Sequence, residues 1–216
     1  MLRLSLDAKA TVLIGPFSRR GRTRVGLQAV DHDFHPEEKL TPFGIFLPES
    51  DELFLYFTTS RLTSDFIVDC LTDFWQQQRH RFPSVTTLLI NQDNGPENHS
   101  RRTQFMKRIT DLADDFHLHI DLAYYPPYHS KYNPVERVWG ILEKHWNGHL
   151  LQSKTIVLQL AQTMTLNGRQ PLVQLVKKTY HTGQRLTQKA MAALELRWAR
   201  LPRLAKWFVH IEPRPG

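Results

Sequence analysis

Three acids of this sequence, Asp7, Asp93 and Glu136, stand where a carboxylate could do chemistry. Asp93 follows directly on Leu88-Leu89-Ile90, a short apolar run typical of a buried strand, and open α/β sheets bind ligands at the C-terminal ends of such strands. Asp93-Asn94-Gly95 is equally good turn sequence, so position alone leaves both readings open. Glu136 lies in the first turn of a helix whose Val135, Val138, Trp139, Leu142 and Trp146 form one apolar stripe. It falls about 100° from the centre of that stripe, at its edge, where it would border the sheet. The helix dipole also favours a first-turn Glu with no further role, and Glu143 repeats the angle two turns on as a rival. Asp7 shares a strand face with Arg3 and Ser5, opposite Leu2, Leu4 and Leu6. A carboxylate on a strand paired at both edges is costly unless something binds it, whereas an exposed acid beside a turn costs nothing. Asp31 and Asp33 compete with it in Asp31-His32-Asp33-Phe34-His35, which could hold a metal by composition and reads equally as a polar loop.

Three acids on separate elements offer hard oxygen ligands and no sulfur, a set that suits Mg²⁺ or Mn²⁺ rather than zinc. Two such ions about 4 Å apart can activate an attacking oxygen and stabilise a leaving one in phosphoryl transfer. The cations also relieve the repulsion among the clustered carboxylates.

The elements that must position these acids follow from periodicity. Residues 2–7 alternate as a strand, and Thr11 to Ile14 reads as a second, stopped by Gly15-Pro16. Phe43 to Leu47 and Leu53 to Thr58 read as a hairpin around residues 48–51. Residues 63–80 predict a helix capped by Thr63 or Ser64, with Phe66, Ile67, Cys70, Leu71, Phe74 and Trp75 as its apolar stripe. A strand at 86–91, a helix at 100–116 and a strand at 118–124 follow; a further helix begins at Pro134, with Asn133 in the cap position, and stops at Asn147-Gly148. Helices near 154–165, 171–180 and 187–200 lead to a last strand near 207–209. The order predicts an α/β layered domain with a mixed, partly parallel sheet.

Composition sets the boundaries. The chain has 216 residues, 41% hydrophobic and 23% charged, as globular chains have. Its apolar runs last a few residues where a bilayer span needs about 20, and Met1 to Ser5 has no signal-peptide pattern. One cysteine, Cys70, excludes a disulfide scaffold or a cysteine zinc site within one chain and fits a reducing, cytoplasmic setting. The formal charge of +7 is uneven: residues 151–216 carry eleven bases against Glu195 and Glu212, while residues 1–150 are nearly neutral. A basic tail of this kind suits phosphate-rich partners, or is simply a solvated surface. Ser18 to Arg24 adds a basic loop with Arg19, Arg20, Arg22 and Arg24, and Arg101, Arg102 and Arg108 make a second basic face.

The stretch Tyr125-Pro126-Pro127-Tyr128-His129-Ser130-Lys131-Tyr132-Asn133-Pro134-Val135-Glu136-Arg137-Val138-Trp139 closely resembles the third-acid motif of insertion-sequence transposases of the mariner-like superfamily. His129 precedes the Ser and Lys131-Tyr132 replaces the middle of the usual motif, but Asn133-Pro134-Val135-Glu136 is intact. Gln92-Asp93-Asn94-Gly95 resembles the second-acid motif. Leu4 to Lys9, with Ile14 to Arg19 and Asp31 to Phe34, resembles the first-acid region of a bacterial subgroup. The resemblance implies an RNase H-like DDE catalytic domain over 1–150, with 151–216 as a basic, mostly helical C-terminal extension packed on it. Asp7, Asp93 and Glu136 would be the catalytic, metal-binding triad for two Mg²⁺ or Mn²⁺ ions, supported by the motif residues Asn94, Asn133, Pro134 and Trp139. It implies cleavage of DNA at element ends and in-line transfer of the freed 3′-hydroxyl to target DNA by a homo-oligomer in the bacterial cytoplasm, with no membrane partner. The seven arginines above would contact phosphates. The 42 residues between Asp93 and Glu136 exceed what the resemblance implies, which predicts an extended helix at 100–116. The first acid stands within a few residues of Met1, so the chain reads as N-terminally truncated relative to the family. An inactive DNA-binding remnant and a structure-selective nuclease of the same fold are the alternatives.

Overall fold

The computed structural model describes residues 1–16, 38–126, 129 and 132–215. In chain order its elements are β1 (Leu2–Ala8), β2 (Val12–Ile14), β3 (Glu38–Leu47), β4 (Glu52–Thr58), α1 (Ser64–Gln78), β5 (Thr87–Gln92), α2 (Thr103–Phe116), β6 (His119–Tyr124), α3 (Glu136–Trp146), α4 (Lys154–Thr163), β7 (Leu172–Val176), α5 (Gln188–Glu195), β8 (Trp198–Arg200) and β9 (Phe208–Ile211). The strands form one sheet in the order β7-β4-β3-β1-β5-β6-β9-β8, with β2 paired to β3. β1, β5 and β6 are parallel, and β3 runs antiparallel to both β1 and β4. The centre of this order, two antiparallel hairpin strands beside three parallel ones, is the RNase H-like arrangement, and it gives the mixed α/β fold that the strand–helix alternation predicts.

Each face of the sheet has its own core. Leu4 and Leu6 of β1 join Phe43 and Ile45 of β3 and Ile90 of β5 under α1 and α2, which supply Phe66, Phe74, Phe105 and Ile109. The opposite face, with Leu40, Phe46, Leu55 and Phe57, receives Val135, Val138, Trp139, Leu142 and Trp146 from the α3 region and Val157 and Ala161 from α4. The apolar stripes predicted for α1 and α3 are the residues that are buried. Thr63 caps α1 as expected, its hydroxyl accepting from the Phe66 amide at 3.2 Å.

The structure corrects several local expectations. Residues 171–180 are not a helix: Leu172–Val176 is a strand, parallel to β4 with Phe54 opposite Leu172 and Thr58 opposite Val176. Pairing with an open sheet edge outweighs a short apolar run that fits either periodicity. The helix over 187–200 ends at Glu195, because Trp198 and Arg200 pair with β9 instead. The third helix starts at Glu136 rather than Pro134, and Asn133 does not cap it with its side chain, which bonds to β1. Nor is α2 extended: it has 14 residues, and the long spacing between Asp93 and Glu136 is taken up by the connections before α2 and before α3. Residues 151–216 hold two helices and also three strands that build out both ends of the sheet.

Candidate carboxylate site

β1 and β5 lie side by side in parallel, with Ser5 opposite Asn91. The ladder ends there, and Asp7 and Asp93 each follow two residues later, near enough for their charges to interact. The two acids thus leave the sheet at the same end and on the same face. Both line a cavity of about 200 Å³, with Gly95, Glu97 and Asn98 on its wall. Asn98, itself buried, fastens the loop that carries Asp93. Its side-chain amide donates to the Gln92 side chain at 3.1 Å, the Asp93 carbonyl at 3.2 Å and the Asp93 carboxylate at 3.3 Å. The Tyr124 hydroxyl donates to the Asn98 carbonyl at 2.9 Å, tying that loop to β6.

Glu136 reaches the same region because the start of α3 is fastened to β1. The buried Ser5 hydroxyl donates to the Asn133 Oδ1 at 2.5 Å and accepts from the Val135 amide at 2.9 Å. Asn133 Nδ2 donates to the Leu6 carbonyl at 2.8 Å, and the Glu136 amide donates to the Asn133 carbonyl at 3.0 Å. Three hydrogen bonds therefore fix the start of α3 against the two residues that precede Asp7, and the fourth closes the turn itself. One turn along, the Trp139 indole donates to Asp7 Oδ2 at 2.6 Å. Gly44 makes this approach possible. It lies opposite Asp7 in the β1–β3 register, and a Cβ there would come within 2.9 Å of the Trp139 ring and 3.0 Å of Val135.

Burial is the largest effect on the Asp7 carboxyl, and the negative charges of Asp93 and Glu136 push the same way. Against the lowering influence of the Trp139 indole and the Ala8 amide, Asp7 is still pushed up to about 7. Asp7 thus feels both other acids, each from a different element, in surroundings that penalise its charge. Glu97, half-buried on the same cavity, is also raised, by burial first and by Asp93, with Arg102 opposing. Among the described residues no three His, Cys, Asp or Glu side chains converge closely enough to hold a metal ion as they stand. The donor set nevertheless fits a hard divalent cation: it is all oxygen, and its mutual repulsion is what such a cation relieves.

Of the rivals, Glu143 pairs with Lys9 at 2.6 Å, and Asp31 and Asp33 lie outside the described residues. So do Arg19, Arg20, Arg22 and Arg24. Arg101 is exposed and Arg102 half-buried. Arg108 points between α1 and α2, bonding Asp69 at 2.7 Å and Asp65 at 3.3 Å, so its charge is taken up inside the molecule. Asn94 is exposed beside Asp93, and Pro134 lies in the turn before α3. Sequence reasoning missed Gly44, Asn98 and the role of Ser5. The alternation of β1 flagged Ser5 as facing away from the leucines, but nothing local marks Gly44 or Asn98, whose partners are distant in sequence.

An RNase H-like sheet with acids at the ends of two adjacent parallel strands and at the head of the following helix defines the class to which this chain belongs. Residues 2–213 match the family model described as the Rhodopirellula transposase DDE domain, and the chain is a member of that DDE transposase family. Among solved structures it is similar to the Mos1 transposase paired-end complex with left transposon end, at TM-score 0.52 and 10% identity, over 73% of this chain and 45% of that one. The shared feature is the fold, and this chain spans less than half the length of that protein. No curated protein sequence matches significantly. No helix among the described residues is long and apolar enough to cross a membrane.

Proposed function

We propose that this domain carries out divalent-metal-dependent cleavage and strand transfer on DNA, with Asp7, Asp93 and Glu136 as its catalytic carboxylates. The observation that carries this reading is the convergence at Asp7: a half-buried carboxyl that lines one cavity with Asp93, accepts from Trp139 on the helix that Glu136 opens, and is pushed up to about 7 by burial and by both other acids. Evolved cores seldom keep such an arrangement without a ligand to neutralise it. Mg²⁺ or Mn²⁺, once bound, supplies polarisation of the phosphoryl oxygens and an attacking oxygen of lowered pKa. The chain's own groups do the rest. Asp7, once ionised, would hold the cation with the others, while the Trp139 indole orients its carboxylate through Oδ2. Asn98 holds the Asp93 carboxylate at a fixed angle, and the Ser5–Asn133 fastening sets the reach of Glu136. DNA, as element ends and as target, is the substrate that membership of this family suggests, and assembly into a homo-oligomer on DNA belongs to the same reading. The basic segment after residue 150 would hold phosphates without reading sequence.

The test is nicking of supercoiled plasmid. Wild type is expected to nick with Mg²⁺ or Mn²⁺, and Glu136→Gln to lower the rate by at least a hundredfold while still folding. Glu143→Gln is expected to retain most activity. Nicking that survives Glu136→Gln, or dies only in Glu143→Gln, overturns the assignment. Metal binding without cleavage points to the inactive remnant.

A further inference from the structure

Beside the carboxylate cavity lies a larger trough of about 890 Å³. Ala8, Leu62 and Glu97 line both spaces, so the trough opens directly onto the acids. Its walls come from five places: the turn after β1, the start of β3, the β4–α1 turn, Glu97 in the loop after β5, and residues 179–182 beyond β7. We infer that this trough takes the sugar–phosphate backbone of one DNA strand running away from the carboxylates, an inference that rests on the function proposed above. Arg101, Arg102 and Arg108, the basic face read from the sequence that the structure describes, are not part of its lining.

The lining chemistry favours that occupant. Lys39 and Arg61 are exposed on the wall, make no ion pair with a described residue, and supply positive charge there. Thr59, Thr179 and Thr182 add exposed hydroxyls, which donate to phosphate oxygens as well as any neutral side chain. Among the described residues of the lining Glu97 is the sole acid, and it sits at the end shared with the carboxylate cavity. Charge therefore changes sign along the trough, from cationic wall to acidic end. A polyanion is held along its length, and at the end a phosphate can approach only where cations screen the acids. Among the described residues of the lining the one Phe, Tyr or Trp, Tyr180, is buried, with its hydroxyl on Asp69 at 2.9 Å, and offers no platform for a base. Contacts limited to backbone predict binding indifferent to sequence.

The far wall is rigid enough for the purpose. Ser60 and Tyr180 exchange hydrogen bonds, the Tyr180 amide donating to Ser60 Oγ at 2.8 Å and the hydroxyl returning to the Tyr180 carbonyl at 3.4 Å. The same stretch is anchored by Lys178 on Asp69 at 2.7 Å. The loop after β7 is thereby held against the β4–α1 turn, and the two together form one side of the trough.

The test measures binding of a labelled single-stranded oligonucleotide of mixed sequence by fluorescence anisotropy, in Ca²⁺ buffer and across salt concentrations. The double variant Lys39→Gln with Arg61→Gln is expected to weaken binding several-fold and to reduce the slope of log affinity against log salt by about 0.7 per lost contact. Arg79→Gln, exposed at the far end of α1, about 20 Å from the trough by helix rise, is expected to match wild type. Unchanged affinity and slope in the double variant overturns the inference. So does a wild type that fails to bind, or an equal loss of affinity for polyglutamate, which would mark a general anion surface. The plasmid assay separates this from the reading it rests on. A double variant that binds and nicks like wild type removes the trough and leaves the enzyme standing. A wild type that binds through Lys39 and Arg61 yet never cuts does the opposite.

Discussion

At the scale of single residues, the site is held by a few buried polar contacts whose loss should be measurable as stability. Asn133 satisfies Ser5 and the Leu6 carbonyl at once. Asn133→Ala is expected to lower unfolding free energy by about 2–3 kcal/mol in urea titrations, because it strands two buried groups. Gly44→Ala would drive a methyl into Trp139 and Val135, at a cost of about 1–3 kcal/mol, and should loosen Mn²⁺ binding by moving the indole off Asp7. Asp7 governs the response to pH. Its folded pKa of about 7 lies above the unfolded value, so its contribution to stability is complete below the unfolded pKa and is lost as pH rises through 7. Metal-free protein should therefore lose melting temperature between about pH 4 and pH 7, and Asp7→Asn should flatten that fall. Added Mn²⁺ should restore stability to wild type at pH 8 and not to Asp7→Asn. A metal-free melting profile that is identical in the two proteins counts against the half-buried, repelled state of Asp7.

At the scale of elements, what could be read early was whatever rests on local periodicity. The apolar stripes of α1 and α3, the Thr63 cap and the run ending at Asp93 were all legible, and so the approximate places of Asp93 and Glu136 were too. What could not be read depends on pairing. Residues 172–176 carry an apolar pattern that suits either helix or strand, and only the open edge of β4 decides. Asn133 is good cap sequence, but Ser5, 128 residues away, offers its side chain a buried partner. The pairing of β7 leads directly into the Asp69 cluster, where Arg108, Lys178 and Tyr180 meet one carboxylate. Burial raises that carboxyl, but its three partners outweigh the effect and hold it below the usual range. Its contribution is present above the unfolded pKa and is lost as pH falls through the folded one. Asp69→Asn should accordingly destabilise the protein by about 1–3 kcal/mol at pH 7 and very little at pH 3, read from paired denaturation curves.

At the scale of the whole molecule, the last third of the chain closes the sheet at both ends. β7 covers β4, while β9 covers β6 and carries β8. Trp198 reaches back to Thr110 of α2 at 3.0 Å, and Arg197 and Arg214 both pair with Asp114. A division at residue 150 therefore describes charge better than it describes folding. Cleavage by protease between 150 and 171 is expected to leave the two pieces associated. Separated under denaturant and refolded alone, residues 1–150 should show no cooperative melting. A stable isolated fragment would show that the early strands suffice.

The seal that β9 places on β6 has a consequence for how the protein is made. A ribosome delivers Ile120 and Leu122 long before Val209 and Ile211, their neighbours in the finished sheet. Through most of translation that border stays raw, able to recruit a strand from any nascent neighbour. Yield in the cell should thus depend on chaperone supply and on the pace at which the final codons are read.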